Sequence, residues 1–280
     1  MRLLAPAKVN LALHVTGRRA DGYHLLDSIV VFADHGDTIT LAPSADLSLT
    51  VTGPRASGVP TDRRNLIWQA AEAFPPGQGA AITLDKHLPH AGGIGGGSSD
   101  AATALRGLSD FWGLPMPDAA AILSLGADVP VCVFGRPARM AGIGEDITPL
   151  PDLPPLWIVL VNPGVEVPTG AVFKALDRAD NPPLPDLPPS GWPDAPALID
   201  WLCQTRNDLE PPARTQAPEI GQALDRLNAR PGCLMARMSG SGATCFALFS
   251  EEFPARDAAA ALAADQPEWW CVAAPVLGLS

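Results

Sequence analysis

Lysine is scarce in this chain: of its 19 Lys and Arg residues, only Lys8, Lys86 and Lys174 are lysines. Arginine fills the generic cationic positions, so each lysine becomes a candidate for a place that needs a compact ammonium. Tyr23 is the single tyrosine. Positive charge as a whole is short, 19 Lys and Arg against 30 Asp and Glu, a net charge of −11. A domain that holds nucleic acid by neutralising phosphates is normally basic, so no nucleic-acid partner is expected. Small phosphorylated ligands remain compatible, because backbone N–H groups and one or two placed cations bind them whatever the net charge. The five cysteines form no CxxC pair, and the five histidines form no HxxxH or HExxH, so no structural zinc is expected and the thiols read as reduced. No uncharged apolar run approaches the ~18 residues that cross a bilayer. The opening Met1 to Lys8 is broken by Pro6 and Lys8, unlike a secretory signal. The expectation is a soluble, cytoplasmic protein without membrane contact, as monomer or homodimer.

What is present suits a folded chain. With 47% hydrophobic and 18% charged residues, wholesale disorder is excluded, and 280 residues suffice for one large domain or two ordinary ones. Val9, Leu11, Leu13 and Val15 alternate with Asn10, Ala12 and His14, the period of a half-buried strand. After the turn GRRADGYH, the segments HLLDSIVVFAD, DTITLAP and LSLTVTG predict three more strands. Further helices are predicted at 65–74, 98–112, 117–125, from Thr169, and at 197–203, 218–229 and 254–264. Strands are predicted at 80–86, 126–135, 156–164 and 269–277, and a strand with a glycine loop at 235–249. Thirteen of the 31 prolines fall between Pro149 and Pro196, which reads as a linker at 149–155 and a surface loop at 181–196. The mixture without a regular βαβ repeat predicts an α+β fold in two parts, 1–152 and 153–280.

The segment GGIGGGSSDAA, Gly92 to Ala102, has five glycines in its first six residues and runs directly into a helix. Glycine carries an entropic penalty, so such a cluster at a helix entrance points to a ligand approaching the backbone N–H groups closely. Two familiar phosphate loops do not fit. GxxxxGK[ST] finds Ser98 where lysine is required, and GxGxxG finds Ser98 in place of its last glycine. A structural turn with a serine cap is the plain alternative.

Three blocks, APAKVNL (Ala5 to Leu11), GGIGGGSSDAA and MSGSGATCFALF (Met238 to Phe249), resemble the GHMP kinases in the order expected of them. The resemblance implies a ribosomal protein S5 domain 2-like N-terminal domain, a ferredoxin-like C-terminal domain, and ATP-dependent phosphorylation of a small alcohol with Mg²⁺. GRRADGYHLLDSI (Gly17 to Ile29) and LGADVPVCVFG (Leu125 to Gly135) are similar to the branch that acts on a cytidine-diphosphate methylerythritol, in isoprenoid precursor synthesis.

Carried over by motif, Lys8 and Asp128 match the catalytic pair. Pro89, His90, Ala91, Gly92, Gly93, Ile94, Gly95, Gly96, Gly97, Ser98 and Ser99 match the ATP-phosphate loop. Substrate contacts fall to Asn10, Tyr23, His24, Lys86, Thr169, Phe173, Gly240, Ser241 and Gly242. Ser98, Ser99 and Asp100 are candidate metal ligands. The chemistry is coherent: a carboxylate accepts the hydroxyl proton while an ammonium stabilises the developing charge. Tyr23 would stack on cytosine, with His24 at the polar edge of the base. Where the branch often carries a second ring, this chain has Ile29-Val30-Val31, an expected aliphatic floor. Two other readings stay open: the same fold acting on homoserine, mevalonate or a sugar, and a nucleotide-binding module without turnover.

Overall fold

Residues 1–90 and 92–278 are described by the computed structural model of the chain. Strand β1 (Arg2–Arg18) is buried on both faces through its middle. Its odd-numbered residues, from Ala5 to Val15, are apolar and at most 4% exposed, whereas Lys8, Asn10 and His14 bury polar groups on the other face. A buried polar group must find a partner, so this second face announces where polar chemistry is concentrated. Strand β2 (His24–Ala42) pairs with β1. The sequence pattern predicts two strands here, but β2 is continuous. Gly36 allows the continuity, because a Cβ at that position would come within 1.9 Å of the Ala5 carbonyl oxygen.

Two compact units divide the chain, each built from several segments: Met1–Lys8, His35–His90 and Gly95–Gly135 in one, Val9–Asp34, Ala91–Ile94 and Arg136–Ser280 in the other. In the first, β3 (Leu47–Thr52) lies parallel to β4 (Ala80–Asp85), which pairs antiparallel with Thr38–Ala42 of β2. The parallel pair requires a crossover, and α1 (Leu66–Glu72), capped by the Asn65 side chain, supplies it. Helix α2 (Gly96–Trp112) buries Ala101, Ala102, Leu105 and Leu108 and ends on Gly113 in the left-handed region. Helix α3 (Ala119–Leu125) is capped by Asp118.

The segment 126–135, predicted as a strand, contains helix α4 (Val129–Phe134). Its β-branched run reads as strand, yet Pro130 occupies the first turn, where a missing N–H does no harm, and Gly135 closes the helix at φ 67°. Val129, Val131 and Cys132 are buried and α4 packs on α2, so tertiary burial overrides local propensity.

In the second unit, β5 (Ala138–Gly142) pairs with Leu26–Val30 of β2 and with β6 (Asp146–Pro149). The chain continues through β7 (Trp157–Asn162), α5 (Thr169–Lys174), α6 (Ala195–Leu202), α7 (Glu210–Gln216), α8 (Glu219–Asn228), β8 (Met235–Met238), β9 (Cys245–Phe249), α9 (Glu252–Asp265) and β10 (Trp270–Pro275). These strands form an antiparallel sheet in the order β10-β7-β9-β8, with α8 and α9 packed on it. The β5–β6 hairpin and α7 are additions to the sequence prediction.

The proline-rich stretch is anchored. Asp27, buried in β2, accepts two hydrogen bonds from Arg139 at 2.7 and 2.6 Å and one from the Leu184 N–H at 2.8 Å. Leu184 and Trp192 are buried, so 181–196 is a pinned strap and not a free surface loop.

Candidate active site

Within the first unit, Lys8 Nζ stands 2.8 Å from Asp128 Oδ2. The lysine side chain is 3% exposed and the aspartate 33%, so the ammonium lies behind a carboxylate that faces solvent. Asp128 occupies the N-cap position of α4, yet its side chain makes no capping bond; the carboxylate is directed to Lys8 instead. Beneath it, burial and the Asp128 charge push the Cys132 thiol up to about 12, which keeps it protonated and inert.

The glycine run reaches this pair. Gly95 caps α2 at φ 58°, and a Cβ there would fall 2.8 Å from Lys8 Cε, so only glycine lets the helix entrance close on the lysine. Gly96, Gly97 and Ser98 form the first turn of α2, whose N–H groups have no partner within the helix. Ser98 is partly exposed, whereas Ser99 and Asp100 are buried. Pro89 is buried, and His90 is exposed with Nε2 2.7 Å from the Arg55 carbonyl. Ala91 lies outside the described residues.

Lys86 is 4% exposed, and its ammonium touches Asp37 Oδ2 at 2.5 Å and Asp100 Oδ2 at 2.7 Å. Burial pulls Lys86 down, but the Asp100 and Asp37 carboxylates outweigh it and hold the ammonium above its ordinary range. Burial pushes Asp100 up against the opposing pull of Lys86. Asp37 escaped the sequence reading; a lone aspartate in a strand pattern carries no signal of its own.

The second unit gathers another group. Gly93, at φ 72°, has no room for a side chain: a Cβ would meet the Ser239 carbonyl oxygen at 2.4 Å. Ser239 Oγ donates to the Gly93 carbonyl at 2.9 Å and accepts from the Asn10 N–H at 3.0 Å, while the Thr244 N–H donates to the Gly92 carbonyl at 3.0 Å. Ile94 is fully buried. Ser239 is a further residue that the sequence reading missed, although it adjoins the Gly240–Gly242 block. Asn207 Nδ2 donates to the carbonyls of Met238 and Gly240, both at 2.8 Å, which fixes that turn. Thr169 Oγ1 and Ser241 Oγ are 2.8 Å apart.

Asn10 is oriented by Ser28. The serine hydroxyl donates to the Ala12 carbonyl at 2.6 Å, so it accepts from Asn10 Nδ2 at 2.7 Å and leaves the amide oxygen facing elsewhere. His24 stacks on Phe173, centroids 4.7 Å apart and planes 25° from parallel. Burial, then the Arg18 charge, lowers the His24 pKa, so the ring is neutral at pH 7. Tyr23, in the turn before it, is 61% exposed. Ile29, Val30 and Val31 are at most 1% exposed, core residues of β2 and no open floor.

An ammonium paired with a half-open carboxylate, beside a glycine-opened helix, is an arrangement for moving a proton next to an anion. Residues 65–136 match the family GHMP kinases N terminal domain, and residues 192–268 match GHMP kinases C terminal. The chain belongs to the GHMP kinase family. It is similar to proteins named 4-diphosphocytidyl-2-C-methyl-D-erythritol kinase from Jannaschia sp. (strain CCS1), 63% identical over 98% of this chain and 96% of that protein, and from Cereibacter sphaeroides (strain ATCC 17029 / ATH 2.4.9), 58% identical over 98% of each. A solved 4-(cytidine 5'-diphospho)-2C-methyl-D-erythritol kinase superposes with TM-score 0.79 at 37% identity, over 99% of both chains. A homoserine kinase from Cytophaga hutchinsonii shares the GHMP fold, with TM-score 0.62 at 17% identity over 98% of this chain and 93% of that one. Among the described residues no helix is long and apolar enough to cross a membrane, and no cluster of three or more His, Cys, Asp or Glu could hold a metal ion.

Proposed function

We propose that this GHMP kinase transfers the γ-phosphoryl group of ATP to the 2-hydroxyl of 4-diphosphocytidyl-2-C-methyl-D-erythritol. The observation that carries the chemistry is the Lys8–Asp128 pair at 2.8 Å, abutted by Gly95. Asp128 takes the proton of the acceptor hydroxyl, and the Lys8 ammonium beside it offsets charge on the entering oxygen. The first-turn N–H groups of α2 receive phosphate oxygens. The acceptor choice rests on the relatives' shared name over nearly the whole chain, and on residues suited to a pyrimidine: the Tyr23 ring and the neutral His24 already stacked on Phe173.

Mg²⁺ fits as an ion carried on the nucleotide phosphates. Ser98 has the partly exposed hydroxyl to face it, whereas Asp100 is buried and committed to Lys86. When bound, the ion neutralises phosphate charge.

The test is ADP release from ATP against a panel of acceptors: the cytidine-diphosphate compound, homoserine, mevalonate and galactose. Turnover with the first alone is expected. Equal turnover with an acceptor lacking cytidine refutes the assignment, and ATP binding without turnover on any acceptor favours a binding module.

A further inference from the structure

Three elements meet on the Lys86 ammonium. The lysine directly follows β4, Asp37 belongs to β2, and Asp100 lies in the opening turns of α2; all three are buried. Asp37 uses its other oxygen as well, with Oδ1 accepting from the backbone N–H groups of His87 at 2.6 Å and Leu88 at 2.8 Å. The chain entering the glycine run is therefore pinned to Asp37. The helix leaving the run is pinned, through Asp100, to the ammonium that Asp37 also holds. Gly96 covers the ammonium, since a Cβ there would come within 3.3 Å of Lys86 Nζ. Asp100 Oδ1 is buried without a hydrogen-bond partner. A buried ion cluster with an unpaired oxygen is a poor source of stability, and the best-attested use of such clusters is to fix register.

We infer that Asp37, Lys86 and Asp100 are positioning residues that clamp both ends of the glycine run for the nucleotide, a role that rests on the nucleotide-binding function proposed for that run. Lys86 acts from behind the run, through the two carboxylates, and is not itself a ligand of the substrate. Catalysis proper stays with Lys8 and Asp128. The clamp sets the spacing between the turn at 86–88 and the first turn of α2, so its loss is felt in nucleotide affinity and not in acceptor affinity.

Lys86→Met strips the counter-charge from two buried carboxylates and threatens the fold, so Asp100→Asn and Asp37→Asn are the informative variants: each keeps the side-chain size and one ion pair. Isothermal titration with ADP in the presence of Mg²⁺, and separately with CDP, reads the two ligands independently of turnover. The expected result is a roughly tenfold loss of ADP affinity in each variant, from lost pre-organisation, with CDP affinity within about twofold of wild type. The same split appears in KM for ATP against KM for the acceptor. A Lys86 that touched nucleotide directly would leave ADP affinity intact in Asp100→Asn, and that outcome overturns the clamp. Parallel loss of ADP and CDP affinity overturns it too, since general loosening explains that. Wild-type protein that fails to bind ADP overturns the nucleotide function and the clamp together. Wild-type protein that binds ADP, loses it in Asp100→Asn, and phosphorylates no acceptor supports the clamp and overturns the kinase assignment alone.

Discussion

Replacing Asp128 by asparagine separates chemistry from architecture. The variant keeps the side-chain size and an oxygen to face Lys8 Nζ, which stands 2.8 Å away. It removes the only property the proposed mechanism needs, the capacity to take a proton. General-base catalysis is worth about 10²–10⁴ in rate, or about 2.7–5.4 kcal/mol of barrier. The structural loss is smaller. One third of the Asp128 side chain is exposed, so its ion pair is partly screened, and its loss costs the fold about 1–2 kcal/mol. The expected outcome is a kcat at least a hundredfold lower, with KM for ATP and for the acceptor little changed and a melting temperature reduced by a few degrees. Steady-state ADP release under saturating substrates gives the first two quantities, and a thermal melt gives the third. A folded Asp128→Asn enzyme with kcat within about threefold of wild type refutes the role of the carboxylate, because no general base can be lost so cheaply.

Other expectations follow from single residues. Gly95→Ala forces a Cβ into the left-handed region at φ 58° and against Lys8 Cε, so it costs about 1–2 kcal/mol of backbone strain and displaces the ammonium. Activity should fall more steeply than the melting temperature, and a fully active variant contradicts the contact. Tyr23→Ala, at a side chain 61% exposed, should leave stability unchanged and raise only the acceptor KM; an unchanged KM removes Tyr23 from base recognition. His14 is held neutral: Nε2 accepts from the Arg206 N–H at 3.1 Å, and Nδ1 therefore donates to the Pro182 carbonyl at 3.0 Å. Burial first, then the Arg206 charge, lowers its pKa, outweighing the Pro182 hydrogen bond and the Asp208 and Asp27 charges. Below pH 6.5 the unfolded chain binds a proton that the folded chain refuses, so this contribution is complete above 6.5 and lost as pH falls, by at most about 1.4 kcal/mol per pH unit. Urea midpoints at pH 7.5 and 5.5 should differ more for wild type than for His14→Gln; equal differences would show that another group titrates.

Much of the candidate site was legible because its signals are local. Five glycines before a helix have few explanations, and Lys8 stands out in an apolar strand of a chain poor in lysine. The period-two pattern of β1 likewise needs no tertiary information. The failures share one cause. The run VPVCVF favours a strand by propensity, but burial against α2 and a proline in its first turn make it a helix. HLLDSIVVFAD and DTITLAP are predicted as separate strands, whereas in the fold they run on through Gly36, the point where the Ala5 backbone passes.

The order of residues dictates which groups are available: one ammonium in the first strand, an aspartate ahead of a proline, a glycine-opened helix. Which of them meet is settled by the folded chain. Lys8 and Asp128 are 120 positions apart, and Lys86 finds Asp37 and not solvent, 49 positions back. Such pairings depend on chain closure and on the burial of whole faces, and those are sums over distant residues that no window of sequence contains.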